Sequence, residues 1–137
     1  MSKTELSPEL FRVIDANINR LKEGVRVIED IIRYYKNDKK LSLQLKQLRH
    51  KASINLTYEL LLHRDSINDV LRPTTQSELN RTNLQSIIIA NFKRAQESAR
   101  VLEELFKLYD VTYSETFKSI RYELYNLEKE IVLQSFS

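Results

Sequence analysis

Two runs of alternating charge and amide carry the side chains of this sequence best suited to chemistry. Asn17, Arg20, Glu23, Arg26 and Glu29 recur every third residue, and Asn91, Arg94, Glu97, Arg100 and Glu103 do the same further on. Arginines in such an array suit phosphate oxygens, which a guanidinium grips bidentately. Asparagine amides suit the edge of a nitrogenous ring or a phosphate oxygen. Between the runs, residues 63–78 read HRDSINDVLRPTTQSE, with Arg81 just beyond. Asp65 and Asp69 are of the type that holds Mg²⁺ beside a polyphosphate, and equally of the type that shapes turns.

A structural role competes with each of these. Neighbours three apart on a helix pair in sign, so Glu23, Arg26, Glu29, Glu97, Arg100 and Glu103 read as a structural ladder. A stripe stepping by three drifts by about 60° at each step, which leaves Asn17 and Glu29 beside the apolar stripe, one on each side. Arg20 and Arg94 stand between the two readings. Half-buried, they need partners: carboxylates within the fold, or the phosphates of a ligand. Of the two histidines, His50 is expected to pack against the first helix.

Four helices must position these groups. The first opens at Ser7-Pro8-Glu9, a capping serine followed by proline at the first helical position. Its stripe is Ile14, Ile18, Leu21, Val25, Ile28, Ile32 and Tyr35, and Asn37-Asp38 ends it. A second runs from about Lys39 to about Leu62 on Leu41, Leu45, Leu48 and Ala52. Residues 63–78 lose the period and read as a loop. Thr75-Gln76-Ser77-Glu78 fits a capping box that opens the third helix, which carries Ile88, Phe92, Ala95, Ala99, Leu102 and Phe106 to about Tyr109. After a turn at Asp110 to Ser114, the last helix buries Phe117, Ile120, Leu124, Leu127 and Ile131.

Residues 15–35 and 89–109 share eight identities: Ala16/Ala90, Asn17/Asn91, Arg20/Arg94, Glu23/Glu97, Arg26/Arg100, Val27/Val101, Glu29/Glu103 and Tyr35/Tyr109. Chance would leave roughly one or two, so a helical hairpin is duplicated. The expected fold is all-α, a four-helix bundle of two duplicated hairpins with pseudo-twofold symmetry, in one domain over residues 1–137. Hairpin one covers about 8–62 and hairpin two about 79–134. A second apolar strip of Val13, Val27, Ile31 and Tyr34 brackets Arg20 and Gly24, and a helix covered on two faces is central or lies at a subunit contact, so a homodimer is expected.

Composition excludes several classes. The 137 residues suffice for one ordinary core. One Gly rules out a Walker loop or a dinucleotide fingerprint, and no Cys rules out disulfides and thiolate nucleophiles. Neither histidine follows Glu at the spacing of a ferritin-like di-iron site. The +3 net charge is interleaved, not blocked, so nucleic acid is not an expected partner. No apolar run spans a membrane and no signal segment opens the sequence MSKTELSPEL, so a cytoplasmic location is expected.

Taken together, the string Asp15-Ala16-Asn17-x-Asn19-Arg20-x-x-Glu23-Gly24-x-Arg26-Val27-x-Glu29-Asp30, with Leu48-Arg49-His50, Arg64-Asp65, Asp69-Val70, the second ladder through Glu104, and Arg121-Tyr122 followed by Tyr125-x-Leu127-Glu128-Lys129, resembles one family. It is that of the compact bacterial hydroxymethylpyrimidine-phosphate kinases of thiamin biosynthesis, found alone or fused N-terminal to thiamin-phosphate synthase. The resemblance covers about residues 10–130. It departs at Leu71, where the family pattern has Gly, and at Ser98-Ala99, where Ala-Leu is commoner. With no synthase domain after Ser137, a stand-alone form is expected.

The resemblance implies transfer of the γ-phosphoryl group of ATP, with Mg²⁺, to hydroxymethylpyrimidine phosphate, and refusal of free hydroxymethylpyrimidine. Contact with thiamin-phosphate synthase is a further expectation. The chemistry then assigns Asp69 and Asp15 as catalytic candidates, and Asp65 with Asp69 to the metal. Asn17, Arg20, Arg49, Arg64, Arg81, Asn91, Arg94 and Arg121 become the substrate and phosphate ligands. Arginines set for the substrate's own phosphate would be left unpaired by the unphosphorylated alcohol. The competing class is a non-catalytic helical interaction module, or accessory subunit of a thiamin-pathway enzyme, in which the ladder is structural glue.

Overall fold

The computed structural model describes residues 6–54, 56–73 and 81–135, and within them all regular structure is helical. Helix α1 spans Pro8–Asp30, and Ser7 caps it as the Ser-Pro signal requires, its Oγ accepting from the Leu10 N–H at 3.2 Å. Beyond Asp30 the helix widens into a π-helical turn, Ile31–Tyr35, closed by the Lys36 N–H donating to the Ile31 carbonyl at 3.1 Å. Asn37 then turns the chain with φ 55°, a left-handed conformation that asparagine tolerates.

Asp38 caps α2, Lys39–Lys51, by accepting from the Leu41 N–H at 3.0 Å. Here the structure departs from the sequence expectation. α2 ends at Lys51, not near Leu62, and a separate short helix α3 covers Thr57–His63. The interruption includes Ser53 and Ile54, a polar and a β-branched residue of modest helix propensity. α3 packs on α1, with the His63 ring stacked on Phe11 at 5.5 Å and Leu60 buried. His50, expected against α1, is exposed.

Helix α4 spans Leu84–Phe106. The capping box read at residues 75–78 lies outside the described residues. Residues 81–83 are not helical, so the helix starts later than about 79. A different reciprocal cap starts it: the Asn83 side chain accepts from the Ser86 N–H at 2.8 Å, and Ser86 Oγ accepts from the Asn83 N–H at 3.1 Å. Helix α5 spans Val111–Ser135, so the last turn is shorter than expected and Ser114 is helical and buried. The Asp110 side chain accepts from the Thr112 N–H at 2.9 Å at its start.

α1 and α4 form the central pair, with α2 against α1 and α5 against α4. They run antiparallel: Lys36, past the end of α1, donates to the carbonyl of Ser135, at the end of α5 and hence beside the start of α4. α2 and α5 are tied across the bundle by Lys51 Nζ, 2.8 Å from Glu123. The core runs continuously through all five helices, from Ile14, Leu21 and Ile28 to Phe92, Leu102, Phe117 and Ile131.

Gly24 marks the crossing of the central pair. A Cβ there would stand 3.1 Å from the Asn91 carbonyl oxygen and 3.6 Å from Ala95 Cβ. Asn91 and Ala95 are the repeat counterparts of Asn17 and Leu21, so the crossing is centred midway between residues 17 and 24, at Arg20 and Leu21 of one copy and Arg94 and Ala95 of the other. The pseudo-twofold axis of the bundle passes there.

Candidate functional site

The structure sorts the repeated arginines by partner. Arg49, from α2, donates through Nε to Glu29 at 2.8 Å, and Arg121, from α5, donates through Nε and an η nitrogen to Glu103 at 3.0 and 2.9 Å. Both carboxylates are buried, and each hairpin is therefore stapled by one buried ion pair at equivalent places. The Glu29 hydrogen bond raises the Arg49 pKa. Arg121 is raised by Tyr125 first and then by Glu103, and its guanidinium lies 4.9 Å above the Tyr122 ring. Arg26 and Arg100 pair one turn ahead on their own helices, with Asp30 at 3.2 Å and Glu104 at 3.3 Å.

Arg20 and Arg94 are different. Both are exposed, not half-buried, and neither makes an ion pair or hydrogen bond with the described residues. Glu23 and Glu97 are exposed beside them. The step-of-three ladder is therefore not a chain of ion pairs: its buried glutamates look to the neighbouring helix, Arg26 and Arg100 look four residues on, and the arginines at the crossing stay open. Asn17 and Asn91 match as well. Each Nδ2 donates back to its own helix, to the Val13 carbonyl at 2.9 Å and the Ile87 carbonyl at 2.8 Å, which leaves each Oδ1 to accept elsewhere.

A second group gathers at the start of α1. Asp15 is buried and takes both nitrogens of an Arg64 fork, Nε and an η nitrogen, each at 2.7 Å, while Asn19 donates to it at 3.1 Å. That hydrogen bond raises the Arg64 pKa. Arg12 donates to the Asp65 carbonyl at 3.2 Å, a contact no sequence signal announced because Arg12 lies outside the duplicated stretch. Together these bonds clasp the segment after α3 onto α1. Asp65 accepts from the Asn68 side chain at 2.6 Å and its N–H at 3.1 Å, bonds that hold its carboxyl below the usual carboxylate range. Asp69 is exposed and accepts from the Leu71 N–H at 3.0 Å. Arg81 is exposed ahead of α4.

The two groups are not one cluster. On a helix, Asp15 and Arg20 point about 140° apart, and Arg12 stands ~12 Å along the axis from Arg20. Among the described residues, no three His, Cys, Asp or Glu side chains come together to hold a metal ion. Mg²⁺ carried by a nucleotide needs only one or two protein carboxylates beside the phosphates, and Asp65 and Asp69 each keep oxygen lone pairs for that. Two grooves lie elsewhere. One of ≈ 480 Å³ separates α2 from α5 along Gln47, Lys51, Glu123 and Asn126, and one of ≈ 320 Å³ lies at the α1–α2 turn beside Glu29, Arg33 and Lys46. No helix among the described residues is long and apolar enough to cross a membrane.

A family model described as the ThiD2 family matches residues 12–130. The chain is 36% identical over 131 residues to the thiamine-phosphate synthase of Nostoc punctiforme, covering 95% of this chain and 37% of that protein. It is 40% identical over 125 residues to the thiamine-phosphate synthase of Thermosynechococcus vestitus, covering 90% and 36%. The chain thus spans little more than a third of the length of the curated relatives it matches. No solved structure matches it.

Proposed function

This chain belongs to the ThiD2 family, and we propose that it is a kinase that transfers the γ-phosphoryl group of ATP to hydroxymethylpyrimidine phosphate, yielding the diphosphate and leaving free hydroxymethylpyrimidine largely untouched. One observation carries the reading. Of the six arginines that the duplication places in matching pairs, four are held by carboxylates, and the two at the crossing of α1 and α4 are left open. Two exposed guanidiniums without partners are a standing invitation to anions.

Phosphoryl transfer asks a protein mainly for positioning and charge neutralisation, so a chain with one glycine is not disqualified. Arg20 and Arg94 would neutralise the phosphates. Asn17 and Asn91, each fixed by its bond to the helix behind it, would present Oδ1 to an exocyclic amine such as that of the aminopyrimidine. Mg²⁺, arriving with the nucleotide, would draw on Asp65 or Asp69 and supply further neutralisation of the phosphate charge. Asp69 is the candidate to orient the substrate phosphate whose oxygen attacks. Asp15 suits that role less, because its two oxygens already hold Arg64. Arg49 and Arg121 would act from behind, through Glu29 and Glu103, by fixing the helices that carry the open pair. Discrimination against the free alcohol follows from leaving an arginine unpaired.

A coupled ADP-release assay with Mg-ATP tests this directly. The phosphorylated pyrimidine should turn over and the free alcohol should not. A folded protein inert towards both would overturn the proposal and favour a helical accessory module.

A further inference from the structure

The duplication does more than place two arginines side by side. On α1 and the π-helical turn that extends it, the residues on the side of Gly24 away from the core are Val13, Arg20, Val27, Ile31 and Tyr34. Val13, Val27 and Tyr34 are 41%, 38% and 65% exposed. The repeat puts Ile87, Arg94, Val101 and Leu105 on the same side of α4 and Leu108 in the turn just after it, with Leu108 51% exposed and the other three aliphatics half-buried. This is an apolar face with two open cations at its centre. A second copy seated on it would set guanidinium against guanidinium, whereas flat apolar rings bearing phosphates complement it in both respects.

The antiparallel register divides the face into two halves about the pseudo-twofold axis. One half contains Val13 and Asn17 of α1 with Val101 and Leu105 of α4. The other contains their repeat counterparts, Ile87 and Asn91 of α4 with Val27 and Ile31 of α1. Each half lies ~10 Å from the crossing, and each has one asparagine and three aliphatic neighbours. Long helical side chains lean towards the N-terminus of their own helix, so Arg20 serves the Asn17 half and Arg94 the Asn91 half.

Resting on the kinase reading, we propose that the two substrates, each a nitrogenous ring bearing phosphate, occupy these two pseudo-equivalent halves and exchange the phosphoryl group across the axis. An oxygen of the pyrimidine's own phosphate forms its bond to the γ-phosphorus as the bond from that phosphorus to the β,γ-bridging oxygen breaks. ADP departs with the bonding electron pair, and any proton on the attacking phosphate oxygen passes to water. The halves are not identical. Tyr34, over which Arg33 stacks at 4.9 Å, flanks the Asn91 half, where the other half has Leu108. A stacking aromatic assigns the larger purine ring to the Asn91 half and the pyrimidine phosphate to the Asn17 half, next to the segment clasped by Arg12 and Arg64.

Steady-state kinetics of Arg20→Ala and Arg94→Ala, with each substrate varied in turn, test the assignment. Arg94→Ala should raise KM for ATP at least tenfold and leave KM for the pyrimidine phosphate within twofold. Arg20→Ala should do the reverse, and both should lower kcat. Two variants that raise KM for the same substrate, or for neither, overturn the two-half arrangement while leaving the kinase reading intact. If the wild-type protein has no turnover, the kinase reading fails on its own, and equilibrium titration with ADP and the pyrimidine phosphate decides the arrangement. Simultaneous binding, each ligand lost in a different variant, upholds it; competition between them, or no binding, overturns it.

Discussion

The two hairpins descend from one pattern and differ most at their ends. In hairpin one the inner helix widens into a π-helical turn, Asn37 turns the chain with φ 55°, and the outer helix stops after 13 residues. The chain then returns as α3 and lies over the start of α1. In hairpin two the outer helix runs uninterrupted for 25 residues, and its turn is packed with aromatic rings, Phe106 stacked on Phe117 at 5.5 Å and Tyr113 against Phe106 at 5.2 Å. The buried staples are the same in both. So are the open arginine and the asparagine tied to its own helix. What the copies share lies at the crossing and between paired helices; what they do not share lies at the ends of the hairpins. Asp15, which clasps Arg64, is matched in the second copy by Ile89, which has no carboxylate to offer. The asymmetric acidic segment therefore exists on one half of a symmetric frame, as two unlike substrates would require.

If the staples are equivalent, breaking either should be the most damaging single change. Glu103→Ala leaves Arg121 without its buried partner and should lower stability by about 3 kcal/mol, with Glu29→Ala similar. Chemical denaturation of the two variants side by side checks it, and a large difference between them would break the equivalence. Next in size is the crossing. Gly24→Val drives a branched side chain against the Asn91 carbonyl and should cost about 2 kcal/mol by the same measurement. The counterpart position already accepts a buried serine, so Ser98→Ala should cost under about 1 kcal/mol.

The clasp sharpens the difference between the hairpins. Asp15→Asn removes the charge that Arg64 grips and should release the segment after α3 while the central helices stay intact. Faster amide exchange over residues 64–69, with unchanged exchange in α4 and α5, is the expected outcome. Smallest of all is the response to acid. The Asp65 carboxyl is held below its ordinary value by Asn68, so its contribution to local order is present above the unfolded pKa, near 3.9, and fades as pH falls through the depressed folded value. Below about pH 4 the Asn68 amide should lose protection before the helices do, as pH-dependent hydrogen exchange would record.

Much of the frame was legible because it depends on local rules. Ser7-Pro8 starts α1, Asp38 caps α2, and the stripes through Leu21, Leu45, Phe92 and Leu124 are buried as the helical period requires. The duplication, visible as eight identities, implies a pseudo-twofold axis, and the close approach at Gly24 places it. What stayed hidden was set by contacts distant in sequence. No periodicity reveals that Glu29 and Glu103 claim Arg49 and Arg121, which were read as open phosphate ligands, or that Arg12 reaches the Asp65 carbonyl. The end of α2 is hard to see because the break after it is short and apolar residues, Ile54, Leu56 and Leu60, continue through it. The start of α4 was missed because two capping signals compete within a few residues, and the one at Asn83 caps the helix.

The central claim is that the frame is held by the stapled arginines and the chemistry by the open ones. Phosphorylation of hydroxymethylpyrimidine phosphate by the Arg20→Ala, Arg94→Ala double variant, measured beside its melting temperature, tests that most directly. The account predicts product formation reduced by about a thousandfold or more, with the melting temperature within a few degrees of the parent chain. Near-parental turnover, or a large fall in melting temperature accounting for the lost activity, would contradict it.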